Sequence, residues 1–121
     1  MRKSLLRRKQ WWPRRKFNNI PTEYGGIIYD SMAEARYANQ LDLEKKAGTI
    51  KEWKRQVYIP FEVNGKLICS ANIDFEVEYS DGHKELREVK GMVTPTWTIK
   101  KKLFHALYPN RKLTIIKAKD I

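Results

Sequence analysis

Hydrophobic and polar positions change period several times along this chain, and the changes mark its elements. From Ser31 onward Tyr37, Ala38 and Leu41 recur at helical spacing, and the pattern runs through Leu43 to Gly48. Ser31-Met32-Ala33-Glu34 opens that stretch as a capping box, in which the Ser hydroxyl and the Glu carboxylate satisfy each other's backbone amides. Gly48 suits the C′ position that closes a helix. From Ile50 to Phe61 the period shortens to two, predicting a strand that leads to the hairpin turn Asn64-Gly65. A second strand is expected from Lys66 towards Tyr79, broken or bulged near Ser70-Ala71, and a third over Lys84–Lys90. Thr94 and Pro95 then supply an N-cap and an N1 residue for a second helix that ends before Pro109. Within Lys112–Ala118, Leu113-Thr114-Ile115-Ile116 reads as a buried strand. Upstream, Asn18-Asn19-Ile20-Pro21 suits a loop, and Ile27-Ile28-Tyr29 a short strand after Gly25-Gly26.

The resulting order, arm–α–β–β–β–α–β, predicts an α/β fold with a mixed sheet flanked by helices. The 121 residues fit a basic arm over 1–20 and one domain over 21–121, large enough to bury its own core. The lone Cys69 excludes an internal disulfide and reads as a small strand or core residue; no CxxC or His/Cys cluster suggests zinc. Ser4-Leu5-Leu6 is too short for the apolar region of a signal peptide, and no apolar run approaches the roughly 20 residues of a membrane span. A soluble, cytoplasmic protein without membrane association is expected.

Charge adds a partner. The net charge is +11 and unevenly spread. Arg2, Lys3, Arg7, Arg8, Lys9, Arg14, Arg15 and Lys16 crowd the arm without an acidic residue, Lys100-Lys101-Lys102 form a second block, and Arg111, Lys112, Lys117 and Lys119 a third. Blocks of one sign repel each other, and a polyanion is the partner that relieves the repulsion. Nucleic acid is therefore expected, with Arg7, Arg8, Arg14, Arg15, Lys16, Lys100 and Lys101 as backbone contacts. Trp11 and Trp12 suit base stacking, packing into a partner subunit, or capping the edge of the core, and these remain open.

The candidate chemistry lies on the second and third strands. Period two puts Ile73, Phe75, Val77 and Tyr79 on one face and Asp74 on the other, with Glu76 and Glu78. Ser80-Asp81-Gly82 suits a three-residue loop, a type I turn followed by glycine in the left-handed region. That loop pairs Tyr79 with His83 and, counting back, Asp74 with Glu88, with Cβ atoms about 4.5–5.5 Å apart. Two carboxylates so close repel unless a cation lies between them, and an all-oxygen set with open positions suits Mg²⁺. Lys90 falls on the same side as Glu88, where an ammonium can orient a water and stabilise charge building on a phosphate. An ordinary solvent-facing strand would also carry such residues; the turn register and the basic background favour the site. Glu34 shares the inward helical stripe with Tyr37, Ala38 and Leu41 and can reach the same place, although the capping box also accounts for it. Gln56 lies in the strand between them, suited equally to supporting the site, touching DNA or facing solvent. His83 and His105 lack partners at a metal spacing and read as surface residues or phosphate contacts. Trp97, Leu103, Phe104 and Leu107 follow helical spacing and read as core or dimer interface.

Asp74 followed by Glu88-Val89-Lys90-Gly91, with Ser31-Met32-Ala33-Glu34 on an upstream helix, resembles the PD-(D/E)xK nuclease superfamily, and more narrowly its small phage-encoded members and archaeal-type Holliday junction resolvases. The resemblance spans about residues 22–118, including the Ile50–Phe61 strand and the Lys100-Lys101-Lys102-Leu103-Phe104 helix. Ile73 stands where the superfamily motif has proline. The resemblance implies a restriction-endonuclease-like α-β-β-β-α-β core. It implies a Mg²⁺-dependent endodeoxyribonuclease, with Mn²⁺ as a substitute, in which Asp74, Glu88 and the Val89 carbonyl ligate the metal. Lys90 would then position the attacking water, and Glu34 would complete a second-metal or water-bound site. It further implies branched DNA, four-way junctions above all, cut by a homodimer during recombination in a prokaryotic or phage-infected cell. A nicking, flap or restriction-like nuclease of the same fold, or a non-catalytic nucleic-acid-binding protein, is the alternative.

Overall fold

The computed structural model describes residues 20–121. The basic arm, with Arg7, Arg8, Trp11, Trp12, Arg14, Arg15 and Lys16, lies outside the described residues. The chain enters through a small antiparallel hairpin, β1 (Thr22–Tyr24) and β2 (Ile27–Tyr29), then runs into helix α1 (Met32–Ala47). Strands β3 (Glu52–Val63), β4 (Lys66–Glu78) and β5 (Lys84–Lys90), helix α2 (Pro95–Leu107) and strand β6 (Leu113–Lys117) follow, closed by a 3-10 turn at Ala118–Asp120. The main sheet has the order β3-β4-β5-β6, antiparallel except for the parallel β5–β6 pair, which α2 bridges. The fold is thus α/β, a mixed sheet flanked by helices with the α-β-β-β-α-β order of a restriction-endonuclease-like core. No helix among the described residues is long and apolar enough to cross a membrane.

Local signals account for the helix ends. Ser31 Oγ accepts the Glu34 N–H at 3.1 Å, and Gly48 closes α1 in the left-handed region with φ +85°. Thr94 Oγ1 accepts the Trp97 N–H at 3.1 Å, with Pro95 behind it. Each helix covers one apolar cluster. Ala35, Tyr37, Ala38 and Leu41 of α1 pack with Tyr29, Ile50, Phe75, Val77 and Val89. Trp97 and Phe104 of α2 pack with Ile59, Phe61, Ala71, Ile73 and Leu86, and Leu103 and Leu107 join at the rim. Leu86 in the second cluster and Arg87 bonded to Tyr37 of α1 are neighbours on β5, so the helices lie on opposite faces of the sheet.

Several expectations are corrected. Ile73 does not share the face of Phe75 and Val77: it packs under α2, they pack under α1. The switch coincides with Gln56, opposite on β3, whose backbone is left-handed with φ +57°. Arg55↔Phe75 and Val57↔Ile73 are paired, while the intervening Gln56–Asp74 rung is missing. The register shift on β4 comes at Ile68, opposite Phe61 and Glu62, rather than at Ser70-Ala71, which pair regularly with Pro60 and Ile59. The strand expected from Ile50 begins at Glu52, with Ile50 buried ahead of it. Residues 113–116 are half-buried rather than buried, because β6 pairs on one side only. The strand β1, at three residues, is too short to show a period-two signal, so the sequence does not predict it. Cys69 is half-buried on β4.

Candidate active site

The turn after β4 sets the register. Gly82 has φ +92° and donates its N–H to Tyr79 O, while Tyr79 donates to His83 O, both at 2.9 Å. Pairing then runs from Glu78↔Lys84 to Phe75↔Arg87. The next rung would join Asp74 to Glu88, and there the ladder stops. Beyond it β4 stays with β3, and β5 with β6 out to Lys90↔Lys117.

A parted rung strands backbone amides in a buried place, and the two acids supply the missing acceptors. Glu88 Oε1 accepts the Asp74 N–H, and Asp74 Oδ2 accepts the Val89 N–H, each at 2.9 Å. Glu88 Oε2 lies 3.2 Å from Lys90 Nζ, and that ammonium rests over the Trp97 ring, 4.3 Å from its centroid. Asp74 Oδ1 has no protein hydrogen bond among the described residues. Asp74, Glu88, Val89 and Lys90 line one cavity of about 660 Å³ together with Glu34, Asp30, Gln56 and Asn72.

Glu34 is on the cavity wall, not committed to the cap. Among the described residues no hydrogen bond joins its carboxylate to the Ser31 amide, so only the Ser half of the capping box forms. Burial, then the charges of Asp30 and Glu88, push the Glu34 carboxyl up to about 7, against the pull of Arg55 and Lys90. Burial, then Glu88 and Glu34, hold the Asp74 carboxyl well above its ordinary range, although the Val89 amide and Lys90 oppose this.

Other buried acids of the sheet are differently placed. Glu76 has Lys54 at 3.6 Å and Arg111 at 3.4 Å. Glu85 has Arg87 at 3.4 Å and Lys112 at 3.8 Å, and accepts from Tyr79 at 2.5 Å and from Thr114. Each of these acids has two cations within 4 Å. Of the four carboxylates that line the cavity, Asp30, Glu34, Asp74 and Glu88, only Glu88 has a salt bridge among the described residues, to Lys90. Ionised together, these acids carry negative charge in excess of what Lys90 offsets, which a divalent cation would reduce. Among the described residues no group of three His, Cys, Asp or Glu side chains is already drawn together as a metal cage. The donor set fits Mg²⁺ nonetheless, since that ion takes one or two carboxylates and keeps several waters.

The site residues expected from the sequence, Glu34, Asp74, Glu88, Val89 and Lys90, therefore meet at one cavity. Lys100 and Lys101 do not line it; they lie one turn beyond Trp97 on α2, Lys100 half-buried and Lys101 exposed. Neither Asn72 nor Asp30 is among the site residues that the sequence predicts. Period two from Asp74 would have found Asn72, and Asp30 adjoins the Ser31 cap. Trp97 is core as expected, and in addition carries Lys90 on its ring, a contact no spacing rule announces. His83 stacks on Tyr79 and bonds to Asp81, and His105 is exposed beside Phe104, both away from the cavity.

No curated protein matches this sequence. A family model described as a protein of unknown function, DUF1064, matches residues 14–121, the arm's last residues and the whole described fold, and the chain belongs to that family.

Proposed function

We propose that the protein is a metal-dependent endonuclease of the PD-(D/E)xK type that hydrolyses phosphodiester bonds in DNA. The observation that carries this reading is the parted rung. Asp74 and Glu88 satisfy each other's strands at the floor of an open cavity, leaving oxygens and excess negative charge directed at its interior. Asp74 and Glu88, with the Val89 carbonyl, would hold Mg²⁺, and Glu34 would take up a second ion or its waters. The bound ion supplies Lewis-acid stabilisation of phosphate charge and lowers the pKa of water. Lys90 is held by Glu88 and by the Trp97 ring, so its ammonium is positioned in advance to orient the attacking water and to receive charge from the phosphate. The net charge of +11 and the lysines of α2 supply sequence-independent attraction to the DNA backbone.

The finer substrate, a four-way junction cut by a two-fold dimer, rests on the resemblance, since symmetric cutting of two strands suits a C₂ pair of sites. Junction, flap, nicked and linear duplex DNA incubated with Mg²⁺ or Mn²⁺, with Asp74→Asn alongside, test the whole reading. Cleavage that is fastest on junctions and absent in Asp74→Asn supports it. Preference for flap or nicked DNA would replace the junction but keep the chemistry. Binding without any cutting would leave a nucleic-acid-binding protein.

A further inference from the structure

Gln56 combines three features that no core or solvent role requires. Its backbone is left-handed at φ +57°, a conformation that costs a non-glycine residue free energy. It lies opposite Asp74, where the β3–β4 pairing lapses between the intact rungs Arg55↔Phe75 and Val57↔Ile73. Its exposed side chain lines the cavity that holds Glu34, Asp74, Glu88 and Lys90, and has no hydrogen-bond partner among the described residues. A glycine would take this backbone without strain, and an ordinary extended residue would close the rung. Asn72, also exposed, lines the same wall two residues before Asp74.

We infer that Gln56, with Asn72 beside it, forms a binding subsite for the sugar-phosphate backbone, its carboxamide N–H donating to a non-bridging oxygen of the substrate strand. The inference rests on the nuclease reading of the same cavity. Charge explains the residue type. Four carboxylates already line the cavity, Asp30, Glu34, Asp74 and Glu88, so a further acid at position 56 would repel a phosphate. A lysine there would pair with those carboxylates and occupy the place of a cation. A carboxamide offers donors without charge, and so meets a phosphate oxygen while leaving the acids free. The neighbouring Arg55 stacks its guanidinium on Tyr29, 4.6 Å from the ring centroid, and forms no salt bridge among the described residues, which leaves a cation beside the strand that would carry the DNA.

The test compares wild type, Gln56→Gly, Gln56→Glu and Asp74→Asn in single-turnover cleavage of a labelled DNA junction with Mg²⁺, with thermal denaturation of each. Gln56→Gly is expected to keep or raise the melting temperature, because the strain is relieved, while cleavage at sub-saturating enzyme falls roughly tenfold or more. Gln56→Glu is expected to lose more, with the loss concentrated in the half-saturating concentration. Gln56→Gly cutting within about twofold of wild type, or a loss of cutting that merely follows a fall in melting temperature, overturns the subsite. A wild type that cuts no DNA, like Asp74→Asn, overturns the nuclease reading and the subsite together; a wild type that cuts beside an equally active Gln56→Gly overturns the subsite alone.

Discussion

Asp74 and Glu88 exchange backbone amides: each carboxylate accepts an N–H at 2.9 Å from the strand that carries the other. Two buried acids thereby replace a rung of the sheet. In ordinary pairing their amides would have been spent on carbonyls, and the carboxylates would have had no reason to converge.

That convergence is costly without a cation, and the cost depends on pH. Asp74 and Glu34 have raised pKa values in the folded protein, so between the ordinary carboxylate range and about pH 7 the folded state holds protons that the unfolded chain has released. Their contribution is greatest at low pH and is lost as pH rises through the folded values. The metal-free protein should therefore melt at lower temperature at pH 8 than these groups would allow at pH 5, and Mg²⁺ should restore more at pH 8. Asp74→Asn keeps an acceptor for the Val89 amide and removes one charge. It should raise the metal-free melting temperature at pH 8 by roughly 4 °C or more, about 1 kcal/mol, and abolish most of the Mg²⁺ response. Identical pH slopes for the variant and wild type would contradict this account.

Among the described residues, Lys90 is the only ammonium in the cavity lining. Lys90→Met should keep the apolar stem over Trp97 and so preserve folding, with a melting temperature close to wild type. Cleavage should fall by about 100-fold or more, as expected for loss of a positioned charge at a phosphate. Metal binding measured by calorimetry should tighten, because the acids lose their competitor. Weaker metal binding in Lys90→Met would show that the ammonium supports the acids in some other way.

Gly82 tests the turn that fixes the register. An added Cβ there meets nothing within 4 Å, so Gly82→Ala isolates the backbone effect of φ +92°. A loss of about 1–2 kcal/mol in chemical denaturation is expected. An unchanged midpoint would mean that the loop does not need its left-handed residue.

The lysines of α2 are expected to act in binding and not in chemistry, because neither Lys100 nor Lys101 lines the cavity. Replacing both with Ala should lower the slope of log affinity against log salt by up to about 2, with the cleavage rate of saturated DNA retained. A fall in that saturated rate would place one of them at the reacting phosphate.

Much of this protein is written in short-range signals. The Ser31 and Thr94 caps, Gly48 and the Ser80-Asp81-Gly82 loop each act within a few residues, so the helix starts and the Asp74–Glu88 alignment can be counted off the chain. The opening of the rung cannot. It depends on β4 and β5 diverging to follow different neighbours, β3 and β6, and on Gln56 adopting a left-handed backbone across from Asp74. Period two carried Ile73 to the wrong face for the same reason, since alternation holds only while pairing is regular. Whether Glu34 serves its cap or the cavity was likewise undecidable locally, because both uses need the same residue at the same turn. Packing α1 against the sheet directs that carboxylate to the cavity, beside Asp74, where long-range contact rather than spacing gives it company.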